Sequence, residues 1–71
     1  MTFTRVKMYY NGGYITEALF YGDIGHVAAL EKFHRMFPSA SAQGVNLVAE
    51  TRDIDTDSEY FKACMRCGAV Y

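Results

Sequence analysis

Val6-Lys7-Met8-Tyr9-Tyr10-Asn11-Gly12-Gly13-Tyr14-Ile15 is the stretch whose reading decides the fold. A two-residue hairpin turn needs positive φ at its central positions, and Asn-Gly is the pair that adopts it most readily. Before it, residues 2–10 alternate: Thr2, Thr4, Val6, Met8 and Tyr10 fall on one side, Phe3, Arg5, Lys7 and Tyr9 on the other. That period of two predicts a strand, with the first set as its core face. After it, residues 14–21 run back as a second strand. Its register stays open, because Ile15/Leu19/Tyr21 and Tyr14/Ala18/Phe20 are both largely apolar.

Outward from the hairpin, Gly22-Asp23-Ile24-Gly25 breaks the second strand and Asp23 offers a helix cap. Residues 24–37 then read as a helix stopped by Pro38, which lacks a donor and restricts its predecessor. His26, Ala29, Leu30, Phe33, Met36 and Phe37 share one side of it. Ala28, Glu31, Lys32 and Arg35 lie opposite, so the helix is amphipathic and suited to cover a sheet. Residues 39–44 form a small-residue loop, and residues 45–52 alternate again as a third strand. Thr56-Asp57-Ser58-Glu59 has capping-box spacing, and Gly68 sits where a helix ends, which predicts a short helix over residues 58–67.

The order β-β-α-β-α predicts an α+β fold. Its three-stranded antiparallel sheet takes the order 2-1-3, because a helical connection can return the third strand beside the first. One main helix is expected on one face, and a chain of 71 residues holds a single domain, 1–71.

Composition narrows the function classes. A hydrophobic content of 51% with one proline places the chain among folded domains. A net charge of −1 with both signs scattered lacks the basic footprint of a duplex-DNA protein. The chain shows neither a basic-then-apolar leader nor an apolar run long enough for a membrane span, so a cytoplasmic protein is expected, in the host cytoplasm if viral.

No pattern asks for an enzyme: no nucleophile stands beside a base, and Gly12-Gly13 and Gly22-x-x-Gly25 are too sparse to cradle phosphate. Neither a cofactor nor a metal is expected. Cys64-Met65-Arg66-Cys67-Gly68 is half of a zinc knuckle, while a closed zinc site needs four ligands. Its alternatives are a site shared between two chains, stapling a dimer, or two small buried hydrophobes on a helix face with Tyr60 and Phe61. Asp53-Ile54-Asp55-Thr56-Asp57-Ser58 opens like a calcium loop, but Ser58 replaces the sixth-position glycine and Cys64 the chelating glutamate.

Two surfaces stand as partner-binding candidates. Phe3, Arg5, Lys7 and Tyr9 interleave rings and cations on the outer face of the first strand, and Asp53, Asp55, Asp57 and Glu59 form an acidic turn. Six tyrosines suit a protein interface, since tyrosine supplies contact area and a hydrogen bond at low entropic cost. The same stripe could instead stack single-stranded bases with Arg5 and Lys7 on phosphates, or lie under the second helix as ordinary core.

Met8-Tyr9-Tyr10-Asn11-Gly12-Gly13, then Ala29-Leu30-x-x-Phe33-x-x-x-Phe37-Pro38, then Val45-Asn46-Leu47-Val48 resembles the layout of many small phage and mobile-element proteins. In size and fold class the chain is similar to anti-CRISPR proteins, which lack catalytic equipment and present a surface to a host complex. That resemblance implies a steric inhibitor of a host protein complex and carries over no individual residue. A homodimer is also expected, through the third strand, whose residues 45–48 offer an edge without lysine or proline.

Overall fold

The computed structural model describes residues 1–71. β1 (Thr2–Tyr10), β2 (Gly13–Tyr21) and β3 (Val45–Asp53) form one antiparallel sheet in the order β2-β1-β3. α1 (His26–Met36) and a single 3₁₀ turn (Pro38–Ser41) connect β2 to β3, and α2 (Glu59–Arg66) follows the sheet. The predicted α+β order is the observed one.

Asn11 and Gly12 carry φ of 48° and 84° and close the hairpin between Tyr10 and Gly13. Two positive φ values in succession give the strands the twist they need. One irregularity follows at once: Met8 pairs with Thr16 but Tyr9 with Tyr14, so Ile15 is an extra residue, a β-bulge. Beyond it Val6 faces Ala18 and Lys7 faces Glu17. A regular hairpin would have set Glu17 opposite Val6, on the core side. The bulge therefore keeps a carboxylate out of the core and resolves the register that the apolar pattern left open.

Both faces of the sheet are used. Val6, Met8, Ala18 and Phe20 pack with Ala29 and Phe33 of α1 and with Ala40 of the 3₁₀ turn. On the other face Phe3, Leu19, Ile54, Phe61 and Cys64 form a second, smaller core under α2. The main helix covers one face as expected, and of the alternatives for the outer stripe its Phe3 end is the one that lies under the second helix, since Leu19 and Phe3 give α2 an apolar seat of its own.

Local details differ from expectation where side chains found other partners. α1 begins after Gly25 with no side-chain cap, and Asp23 instead accepts from Thr51 Oγ1 at 3.3 Å. His26 is exposed rather than part of the apolar stripe. It lies in the first turn, where side chains tilt back beyond the packed face. α2 is capped by Ser58, whose Oγ accepts from Phe61 N at 3.1 Å, and not by Thr56. Thr4, fully buried, donates to Gly22 O at 2.8 Å and accepts from Ile24 N at 3.1 Å, stitching β1 to the break after β2.

Candidate functional site

α2 lies across one end of its sheet face and leaves the other end open. The outer stripe of β1 is divided accordingly. Phe3 is 0% exposed, its ring 5.4 Å from Phe61 and 5.1 Å from Tyr21. As a contact for a partner it is withdrawn, because α2 consumes it as core. Arg5 is half-buried and held: Nε donates to Glu50 Oε1 at 2.9 Å, Nη2 pairs with the same oxygen, and Nη1 donates to Tyr60 Oη at 3.2 Å. Its guanidinium also lies 5.7 Å from the Tyr60 ring centre. The hydrogen bonds from Arg5 hold the Glu50 carboxyl below its usual range.

Lys7 and Tyr9 remain on the uncovered end, half-buried against the sheet. Across the strands they pair with Glu17 and Tyr14 of β2 and with Val48 and Asn46 of β3. Tyr14 is 54% and Val48 44% exposed. The Tyr9 and Tyr14 rings meet edge to face with centres 6.1 Å apart, which braces both on the open face. The strands thus assemble a patch of two rings, a valine, an amide and one cation.

The patch runs into a cleft of about 230 Å³ between β2 and α2, lined among others by Tyr14, Glu17, Tyr60, Cys64 and Cys67. Glu17 is its only charged lining group. One carboxylate oxygen accepts from Tyr14 Oη at 2.7 Å and the other from Tyr60 Oη. Partial burial, then the bond to Glu17, pushes the Tyr14 hydroxyl up to about 12, and the same two causes raise Tyr60. Both rings stay protonated donors at neutral pH. Arg5, Tyr60, Glu17 and Tyr14 therefore make one continuous hydrogen-bonded row that fixes the cleft walls.

The two cysteines differ in exposure. Cys64 is buried in the second core, where burial raises its thiol pKa, while Cys67 is exposed at the end of α2. A four-cysteine site shared by two chains needs both sulfurs presented together; α2 packs Cys64 against the second core, and both cysteines border the cleft beside Tyr60. No group of three or more His, Cys, Asp or Glu side chains lies close enough to hold a metal ion.

The acidic turn stays at the surface but is partly spoken for. Asp53 Oδ1 lies 3.3 Å from the Met1 amino nitrogen, Asp55 Oδ1 accepts from Asp57 N at 2.9 Å, and Glu59 approaches Lys62 at 3.9 Å. Asp55 is therefore first a turn former. Asp57 and Glu59 are exposed.

Sequence reasoning missed Tyr14, Glu17, Val48, Glu50 and Tyr60. Only Tyr14 had a local signal, sitting opposite Tyr9 across the Asn-Gly turn. Glu17 needed the bulge, Glu50 the third-strand register, and Tyr60 the path of α2. Comparison of the chain with family models, with curated proteins and with solved structures finds no match, and no helix is long and apolar enough to cross a membrane.

Proposed function

We propose that this chain is a non-enzymatic protein-binding domain that works by occupying the surface of a larger protein. The uncovered half of the sheet, Lys7, Tyr9, Tyr14 and Val48, is its contact face, with the exposed acids of the turn as a second contact. One observation carries the reading: α2 covers only one end of its sheet face and leaves Tyr14 and Val48 exposed beside Tyr9, with the Tyr9 and Tyr14 rings braced edge to face. Rigid tyrosines on a preformed surface are efficient contact residues. The narrower form of the proposal is a phage-encoded inhibitor of a host complex, of the anti-CRISPR kind, and rests on size and element layout.

The stripe as a single-strand nucleic-acid surface is less favoured, since Phe3 is core and Arg5 is committed to Glu50 and Tyr60. The test is capture from a bacterial lysate with the parent protein and with a Tyr9→Ser/Val48→Asp variant, beside anisotropy with short oligonucleotides at two salt concentrations. A protein retained by the parent and lost by a folded variant is expected. Equal retention by both removes this face, and oligonucleotide binding that weakens with salt replaces the reading with the nucleic-acid one.

A further inference from the structure

The two edges of the sheet are not equivalent. Around β2, Gly22 N donates to Thr2 O at 2.8 Å, which turns the backbone groups of Leu19 away from β1. Those groups are occupied: Leu19 N donates to Ala69 O at 2.8 Å and Tyr71 N donates to Leu19 O at 2.9 Å. Residues 69–71 thus lie along the middle of the β2 edge as a short parallel bridge.

No segment does the same for β3. At one end of the β1–β3 pair Met1 and Ile54 exchange both backbone bonds, and at the other Asn11 N donates to Gly44 O at 3.0 Å. Alternation between these ends directs Asn46, Val48, Glu50 and Arg52 toward β1 and Leu47, Ala49 and Thr51 outward. Val45 N donates to Ala42 O at 3.2 Å, which closes the start of the edge; Leu47, Ala49 and Thr51 have no backbone partner beyond β1. The free stretch carries no lysine, proline or bulge, the usual devices that blunt an edge.

We infer that this edge pairs antiparallel with β3 of a second copy of the chain, about a two-fold axis through Val48. The strand is self-complementary in that register. Val48, 44% exposed, meets the second copy's Val48 in a close non-hydrogen-bonded pair. Leu47 and Ala49 exchange backbone bonds with the second copy's Ala49 and Leu47. The Asn46 amide faces the second copy's Glu50 carboxylate, and no like charges are opposed. Shifting the axis to Glu50 sets the two Glu50 carboxylates against each other, which disfavours it. An antiparallel two-fold keeps both open faces on the same side of the doubled sheet, so the dimer carries two copies of the Lys7/Tyr9/Tyr14 surface. The inference shares Val48 with the partner-binding face but rests on the backbone of the edge. Ala49→Pro leaves the side chains of that face in place, and so separates failure of the dimer from failure of the partner-binding reading.

Light scattering of the parent protein and of Ala49→Pro tests it. The Ala49 N–H points outward, so proline there removes no bond to β1 while it blocks the edge. The parent is expected at about twice the 8.0 kDa chain mass at micromolar concentration, and a folded Ala49→Pro at the mass of one chain. Should Ala49→Pro not fold, Val48→Lys, which sets two ammonium groups together at the axis, takes its place with the same expected halving. A parent that stays at 8.0 kDa on concentration overturns the inference, and so does a folded edge variant that remains a dimer.

Discussion

Phe33 and Thr4 show what single side chains hold in so small a domain. Phe33 is fully buried between α1 and the sheet, its ring 4.6 Å from that of Phe37. Phe33→Ala is expected to lose ~3–5 kcal/mol, much of the stability of a domain this size, as read by chemical denaturation. Thr4→Val keeps the shape but leaves Ile24 N–H and Gly22 C=O without their partner, and about 1–3 kcal/mol should be lost for each group that water cannot reach. A valine variant as stable as the parent would show that both groups find other partners. At high pH the tyrosine row sets the response. Tyr14 is neutral when protonated and its folded pKa is raised to about 12 from 10.0, so the folded state holds the proton more tightly than the unfolded chain. Its contribution is complete below pH 10 and is lost as pH rises toward 12. Glu17→Gln should bring Tyr14 part of the way back, leaving the share due to burial, and a spectrophotometric tyrosine titration reads the change.

Among the elements, α2 depends most on local chemistry, because it is short and seats only Phe61 and Cys64 in the core. Ser58→Ala removes the oxygen that receives Phe61 N–H and should lower stability by about 1 kcal/mol, whereas Thr56→Ala should change little. The paired melts separate the observed cap from the Thr56-x-x-Glu59 box that sequence spacing suggests. That spacing misleads for a physical reason: the Asp55 turn, closed by Asp57 N, carries the chain two residues further before helical dihedrals begin. In β2 the hairpin turn was legible from Asn11-Gly12 alone, yet the bulge at Ile15 was not. A bulge earns its place through what lies above the sheet, here the need to send Ala18 and Phe20 to α1 and Glu17 to the other side.

At the scale of the whole molecule, one sheet carries two small cores, and residues 69–71 close the β2 edge over the second. Removing those residues strips the Leu19 backbone of both partners and unpacks Ala69 and Val70 from the Phe3/Phe61 core. A chain cut after Gly68 should melt lower than the parent and exchange the Leu19 amide faster by hydrogen–deuterium NMR, while the Val6/Phe33 side keeps its protection longest. What the sequence by itself determined was everything governed by neighbours along the chain: the alternation of β1, the Asn11-Gly12 turn, the amphipathic stripe from Ala29 to Phe37, and the stop at Pro38. With these the order 2-1-3 is one the helical connection allows, and the pairing of β3 with β1 realises it. Tertiary structure alone decided the fate of the outer stripe, because Phe3, Arg5, Lys7 and Tyr9 are equivalent by periodicity. They become core, ion pair and open surface only when α2, some fifty residues later in the chain, comes to rest over one end of their face.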